Sequence, residues 1–208
     1  MLSTPTLFAG FGFGLSLIVA IGAQNIYVLR QGLLKKHVLP VIAVCIISDA
    51  LLIAAGVAGF GVLVDRVPWL VTFLRVFGSA FLLYYAYGAF QRVLKPEAMV
   101  AGGGGSGSLR AAMLGILGVT YLNPHVYLDT IVLMGSVANS HGDLKWTFGV
   151  GMMAASLVWF ISLGFGSRLI QPFFAKPGAW RFLDSTIVII MVTLAISILA
   201  PLAGVDGK

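Results

Sequence analysis

The stretch from Val38 to Val64 reads VLPVIAVCIISDALLIAAGVAGFGVLV and holds a single charged residue, Asp49. A run of about 20 apolar residues is long enough to cross the hydrocarbon core of a bilayer. Backbone amides and carbonyls find no water there, so such a run must be a helix that satisfies them internally. The stretch therefore predicts a membrane-spanning helix with a carboxylate about halfway along it.

Apolar segments of similar length lie on both sides of this one. Of the 208 residues, 59% are hydrophobic and 10% are charged. Six crossings would use roughly 120 residues, which leaves no room for a soluble catalytic or sensory domain. The first segment lacks the basic start of a signal peptide, so we expect it to remain in the mature protein. The sequence predicts an all-α membrane protein with six transmembrane helices at Thr4 to Leu29, Val38 to Val64, Trp69 to Phe90, Ala111 to Ala138, Trp146 to Ile170 and Trp180 to Leu202.

Basic residues near the segment ends predict the orientation, because Lys and Arg are retained on the cytoplasmic side. Both termini should lie outside the cytoplasm. The basic residues are scattered through the predicted loops, a pattern that indicates the lipid bilayer as the partner and excludes nucleic acid. Nine basic residues fall on one side, namely Arg30, Lys35, Lys36, Arg92, Lys95, Arg110, Arg168, Lys176 and Arg181, and three on the other, namely Arg66, Lys145 and Lys208.

Residues 98–108, AMVAGGGGSGS, predict a flexible linker between two three-helix repeats, residues 1–97 and 109–208. Because three is odd, a duplicated half inserts upside down relative to its twin. Similar patterns recur at offsets of 100, 105 and 106, pairing Asn25 with His125, Gly59 with Gly164 and Arg75 with Arg181. The sequence predicts a 3+3 inverted repeat, the architecture with which secondary transporters alternate access.

Polar interruptions occur at corresponding places in the two halves. They are Gly22-Ala23-Gln24-Asn25 in the first span and Asn123-Pro124-His125 in the fourth. Proline has no amide hydrogen, and the residue before it is biased away from helical geometry. Broken helices in matching positions of two repeats point to a transporter's binding site. The alternative is a simple proline kink, although the polar residues beside both interruptions exceed what a kink requires.

Two acids, Asp49 and Asp129, lie well inside apolar sequence. A charge near the bilayer centre costs at least about 2.5 kcal/mol, so each should face a cavity or a partner. Carboxylates can bind a guanidinium or an ammonium group, or carry a proton. The alternative is a structural acid, held by hydrogen bonds or by an ion pair with a residue such as Arg75. Two acids in the membrane therefore predict a cationic cargo.

Catalytic signatures are missing from the sequence. No metal-ligand cluster, nucleophile with its base, or phosphate-binding motif occurs, so we expect a protein that is not an enzyme and needs no cofactor. The single Cys45 cannot form an intramolecular disulfide. Closely spaced glycines predict tight helix packing and are compatible with a homodimer. These glycines include Gly10, Gly12 and Gly14 at alternate positions, and Gly56 and Gly59 in Gly56-Val57-Ala58-Gly59.

Several motifs occur together along essentially the whole chain. They are Ile21-Gly22-Ala23-Gln24-Asn25, Val28-Leu29-Arg30-Gln31-Gly32, Val44-Cys45-Ile46-Ile47-Ser48-Asp49, Tyr121-Leu122-Asn123-Pro124-His125-Val126-Tyr127-Leu128-Asp129-Thr130 and Gly164-Phe165-Gly166. In this combination the chain resembles the LysE/ArgO family of basic amino-acid exporters, and most of all its arginine-exporting branch.

The resemblance implies a secondary-active exporter of L-arginine or L-lysine in the bacterial inner membrane, driven by an ion gradient or the membrane potential. We expect Asp49 and Asp129 to hold the cationic side chain, while amides exposed at the interruptions bind the substrate carboxylate. The translocation site that the resemblance implies consists of Gln24, Asn25, Asp49, Asn123, Pro124, Tyr127 and Asp129.

Other functions stay open at this point. The wider superfamily is thought to include exporters of neutral amino acids and of metal cations, and two acids in the membrane favour a cationic cargo over a neutral one. The lack of Cys or Met beside them disfavours soft metals. A noncatalytic scaffold subunit would have no evident use for polar interruptions in both halves. An integral-membrane enzyme would need catalytic residues that the sequence does not show.

Overall fold

A computed structural model of the chain describes residues 3–20, 22–59, 68–94 and 108–203. Every regular element in these ranges is helical, which confirms the all-α class. The main helices are α1 (Thr4–Ile18), α2 (Ala23–Leu34), α3 (Val38–Val57), α4 (Pro68–Leu94), α5 (Leu109–Tyr121), α6 (residues 124–139), α7 (Lys145–Gly166) and α8 (Pro177–Leu199).

Helix α6 is composite, because it combines the α-helical turn Pro124–Val126, the π-helical segment Tyr127–Met134 and the short α-helix Gly135–Asn139. Shorter 3₁₀ segments complete the described ranges. They are Gly142–Leu144, Ser167–Ala175 and Ala200–Ala203.

The length and composition of the helices are those of a membrane protein. Helices α3, α4, α7 and α8 are each long and apolar enough to cross a membrane, and α1 with α2 makes a fifth if that bent pair is one span. Helix α5 is apolar but shorter. Large apolar side chains are exposed on the outer surface, where lipid rather than water is the suitable environment. They include Leu51, Phe77, Tyr84, Ile161, Phe182 and Ile189.

The first and fourth apolar segments are each divided between two helices. Helices α1 and α2 are separated by residues 19–22, which we call the first break, and their axes differ by 82°. Residues 122 and 123, the second break, separate α5 from α6. Asn123 there is extended, with φ −92° and ψ 110°, as the residue before a proline should be. Gly22, the cap residue of α2, is extended as well, with φ −127° and ψ 178°.

Glycines bring two pairs of helices into backbone contact. A Cβ atom on Gly10 or Gly14 of α1 would collide with the backbone of α7. Gly56 of α3 and Gly135 of α6 face each other in the same way. These contacts confirm the packing role expected of Gly10, Gly14 and Gly56, whereas Gly12 and Gly59 have no neighbour within 4 Å.

Contacts between helix ends gather at two faces of the bundle. At the arginine face, Arg30 near the end of α2 and Arg92 near the end of α4 meet Asp184 near the start of α8. At the other face, the Asn139 amide at the end of α6 donates to the carbonyl of Gly56 near the end of α3, at 3.2 Å. Helix α3, about 30 Å long at 1.5 Å per residue, separates the two faces.

Helices α4 and α8 form a pair that packs along its length and contacts the other helices much less. We call them the paired helices. Their buried contact includes a hydrogen bond from the Ser79 hydroxyl to the Ala195 carbonyl, at 3.3 Å. The remaining helices gather around α3 and α7. The bundle therefore has two groups of helices, and contacts between the groups are few.

The predicted linker, residues 98–108, lies outside the described residues except for Ser108. Ser108 caps α5, because its hydroxyl oxygen accepts a hydrogen bond from the Ala111 amide at 3.2 Å. The division into repeats of residues 1–97 and 109–208 stays a prediction.

Candidate functional site

A cavity of about 270 Å³ lies where the two breaks come together, closed on its other sides by side chains of α3, α7 and α8. Its volume is close to the lower end of the range of small-molecule pockets, about 300–1,000 Å³. Polar groups converge on it from both halves of the chain. They belong to Gln24, Asn25, Asp49, Asn123, His125, Asp129 and Thr130.

The structure brings most of the predicted site residues together. Five of the seven lie on the cavity wall, namely Gln24, Asn25, Asp49, Asn123 and Asp129. Pro124 and Tyr127 are not among the lining residues; they lie at the start of α6, beside the second break.

Asp49 is the buried acid of the cavity, and its residue is 5% exposed. One of its carboxylate oxygens accepts a hydrogen bond from the Ser156 hydroxyl of α7, at 2.6 Å. Within the described residues it has no cationic partner, so the ion pair with Arg75 considered from the sequence is not formed. A buried carboxylate without a counter-charge is costly, and a cationic ligand would supply the missing charge.

Gln24 places an unsatisfied donor beside this acid. Its side chain lies close to those of Asp49 and Cys45. Its amide nitrogen is buried and has no hydrogen-bond partner in the part of the chain that the structure describes. A buried donor left unpaired costs about 1–3 kcal/mol. A carbonyl or carboxylate oxygen of a bound molecule would satisfy it.

Asp129 has a different environment from Asp49. It lies near the start of the π-helical segment of α6, and its side chain is exposed. His125, one turn earlier on the same helix, is an electrostatic neighbour of Asp129. Asp129 therefore marks the open part of the cavity, whereas Asp49 marks its buried end.

Asn25 holds the first break in place. Its side-chain amide donates to the carbonyls of Ile18 at 2.8 Å and Ala20 at 2.7 Å. Its side-chain oxygen accepts a hydrogen bond from the indole nitrogen of Trp159, at 3.1 Å. The carbonyls at the end of α1 would otherwise lack partners. Asn25 thus uses its donors and its acceptor within the protein.

Asn123 and Tyr127 stabilise the second break. The side-chain oxygen of Asn123 accepts a hydrogen bond from the His125 amide at 3.1 Å, so it caps α6. The Tyr127 hydroxyl donates to the carbonyl of Tyr121, at 2.8 Å. The contact with Tyr121 gives Tyr127 a clear role although it does not line the cavity.

Ser156 and Trp159 of α7 belong to the site, and the sequence does not single them out. Three residues apart, they share one face of the helix and serve Asp49 and Asn25 respectively. Ser156 follows Asp49 by 107 residues. This spacing is close to the offsets of 100, 105 and 106 between the similar patterns in the two halves of the sequence. The repeat could therefore have pointed to Ser156.

The first turn of α2 lies at the cavity wall. Its cap residue, Gly22, has no side chain with which to bind them, and no side-chain cap bond is formed. Amides at a helix start point outward and favour an anion. Together with the two acids on the same cavity wall, this helix start suits a molecule that carries both a cation and an anion. No group of three or more His, Cys, Asp or Glu is placed to hold a metal ion within the described residues.

Comparison with known proteins gives this site a family context. The sequence pattern of the LysE type translocator family matches residues 15–201. The chain belongs to this family. The resemblance inferred from the motifs is thereby confirmed, and so is the description of the translocator as a membrane protein with apolar spanning helices.

Similar proteins cover the translocator along most of its length. A Mycobacterium tuberculosis protein, provisionally named as an amino-acid transporter, is 46% identical over 89% of the chain and 92% of that protein. The lysine exporter LysE of Corynebacterium diphtheriae is 36% identical, with 89% of the chain and 95% of that protein covered. The arginine exporter ArgO of Serratia proteamaculans is 32% identical, with 91% and 93% covered. No solved structure matches the translocator.

Proposed function

We propose that the chain is a secondary-active exporter of basic amino acids, L-arginine and L-lysine, in the bacterial inner membrane. The observation that carries the proposal is Asp49, a buried carboxylate on the cavity wall with no cationic partner within the described residues. Relatives named as lysine and arginine exporters support the same cargo.

The cargo is bound through both of its ends. The guanidinium or ammonium group of the side chain lies between Asp49 and Asp129, because both acids face one cavity. The α-carboxylate accepts from the uncapped amides at the start of α2 and from the unpartnered amide nitrogen of Gln24. A neutral amino acid would leave Asp49 without a counter-charge, which explains why the site favours a basic one.

The fold behind this site is a 3+3 inverted repeat of six spans, with α1 and α2 as a broken first span and α5 and α6 as a broken fourth. The hydrogen bond between Asp49 and Ser156 supports the repeat, because it joins residues 107 apart at matching positions of α3 and α7. The grouping of helix ends at two faces supports alternate crossings. Two repeats that exchange conformations would open the cavity to each side in turn.

The arginine face is the cytoplasmic one in this proposal, and both termini lie outside the cytoplasm. The basic residues of the predicted loops, which are concentrated on that side, are the support for this orientation. A homodimer stays a prediction.

Counterflow of labelled L-arginine into liposomes that contain only the purified protein tests the function. We expect uptake that unlabelled L-arginine and L-lysine suppress, and that L-homoserine and a divalent metal ion do not. Competition by homoserine would indicate a neutral amino acid as the cargo, and competition by the metal ion would indicate a metal cation. Absence of counterflow with folded protein would contradict export and favour a scaffold role.

A further inference from the structure

Arg30 and Arg92, expected among the loop charges, lie inside α2 and α4 and converge on one acid of α8. Asp184 is fully buried. Its Oδ1 atom lies 2.9 Å from Nη2 of Arg92, which also donates from Nε at 3.0 Å, and 3.7 Å from Nε of Arg30. The side chains of Arg30 and Arg92 are 14% and 27% exposed. A partly buried group of three charged residues therefore lies at the arginine face.

The cluster is incompletely paired. Both arginines approach the same carboxylate oxygen, while Oδ2 of Asp184 is buried without a partner in the described ranges. Two guanidinium groups and one carboxylate also leave an excess positive charge. Permanent buried ion pairs normally satisfy every oxygen, because an unpaired one is costly. An incompletely satisfied cluster is better suited to an exchange of partners.

The two arginines are not equivalent. Arg92 and Asp184 both belong to the paired helices and are in close contact. Arg30 belongs to α2, in the other group of helices, and its contact is the longer one. Release of Arg30 would separate the two groups at this face while Arg92 still neutralises Asp184.

Helix α2 joins this contact to the cavity. Gln24 and Asn25 lie in its first turn at the cavity wall, and Arg30 follows five residues after Asn25, or about 8 Å along the helix. Tyr27 lies between them and packs against Tyr85 of α4, with ring centres 5.6 Å apart. A movement of this short helix at the cavity must therefore also move Arg30.

We propose that Arg30 and Asp184 form a latch that closes the cavity toward the arginine face, and that α2 withdraws Arg30 when the cavity opens to that face. Arg92 keeps Asp184 neutralised during the opening. The latch rests on the exporter function proposed above, because it assigns to these residues the control of one side of alternating access.

Cys45 provides the readout, because it is the single cysteine of the chain, is fully buried and lies beside Gln24. A membrane-impermeant maleimide is applied from the arginine face to protein in oriented vesicles. Arg30→Gln should label Cys45 roughly tenfold faster than the natural protein, because the open state gains population. Arg92→Gln should label no faster, because Arg30 becomes the sole partner of Asp184.

Arg181→Gln is the matched control, since Arg181 is an exposed basic residue on α8, close to Asp184 in sequence but outside the cluster. It should label like the natural protein. Equal labelling of Arg30→Gln, Arg92→Gln and the natural protein would overturn the latch. Faster labelling of both single variants would also overturn it, because that indicates a general loss of packing.

A charge exchange keeps the test decisive if Arg30→Gln fails to fold. The double variant Arg30→Asp with Asp184→Arg restores an ion pair across the two groups of helices, so slow labelling is expected. Fast labelling of the folded double variant would refute the latch. Labelling needs no cargo, so it tests the latch separately from export. If Arg30→Gln is labelled faster but the natural protein shows no L-arginine counterflow, the exporter function is contradicted and the latch is not.

Discussion

The first break is not followed by a proline, whereas Pro124 directly follows the second. At both breaks, the preceding helix ends with backbone carbonyls that need hydrogen-bond donors. A side chain of the following helix supplies them, namely Asn25 at the first break and Tyr127 at the second. They differ downstream. Asn123 caps α6, and Pro124 removes one amide, while the start of α2 has no side-chain cap. In the proposed binding mode, the first break supplies its donors to the cargo, whereas Asn123 binds a donor of the second break within the protein.

The largest effect should come from the acid beside the first break. Asp49→Asn should lower L-arginine counterflow roughly hundredfold, because loss of one partner of a buried charge pair costs about 2–5 kcal/mol. Asp129→Asn should cost about tenfold or less, because its side chain is exposed. Asp143→Asn, which neutralises an exposed acid outside the cavity, should transport normally. Equal losses in both site variants would remove the contrast between the two breaks.

Asn25→Ala should produce the next largest effect, on stability. It leaves two backbone carbonyls and the Trp159 indole without partners, which should lower the free energy of unfolding by about 2–4 kcal/mol. Thermal unfolding in detergent measures this loss. His125→Ala is the control at the matching position of the second break, where an exposed side chain should matter by less than about 0.5 kcal/mol. An Asn25→Ala protein as stable as the control would show that the first break needs no such clamp.

Tyr127→Phe should have a smaller effect, because it removes one hydrogen bond, to the Tyr121 carbonyl. The expected loss is about 1 kcal/mol in the same unfolding measurement. L-arginine counterflow should be retained, since Tyr127 does not line the cavity. Loss of counterflow in a Tyr127→Phe protein of normal stability would indicate that Tyr127 contributes directly to substrate binding.

Ala23→Pro should have the smallest effect, because it makes the first break resemble the second. Proline is well tolerated at the first position of a helix, and Gly22 already has extended geometry, so stability should change by less than about 0.5 kcal/mol. One free amide is lost, so the L-arginine concentration for half-maximal counterflow should rise a few-fold. An unchanged value would exclude the Ala23 amide from carboxylate binding.

Much of this arrangement could be predicted from the sequence, because the membrane imposes strong rules. Apolar length gave the positions of the long helices, and Asp49 and Asp129 stood out because charges are rare in such segments. The proline rule placed the second break at Asn123. The predictions at these positions needed only local sequence.

Contacts between residues far apart in the sequence could not be predicted from local sequence. Ser156 and Trp159 lie in an apolar run, and their roles depend on which residues of α2 and α3 face them. The sequence predicts Arg30 and Arg92 in loops because apolarity alone sets the loop boundaries, whereas inside α2 and α4 both side chains approach Asp184. To predict contacts between side chains about 100 residues apart, the alignment of the two halves must be known to the residue. The similar patterns in the two halves indicate this alignment only coarsely.

The π-helical segment Tyr127–Met134 has a geometrical consequence for the acid that it carries. A π turn holds more residues than an α turn, and such segments are frequent at functional sites. Rewinding one turn to α geometry rotates the two flanking parts of the helix relative to each other by about 100°, the angular step of one residue. Such rewinding would change the direction in which Asp129 points relative to the glycine contact at Gly135.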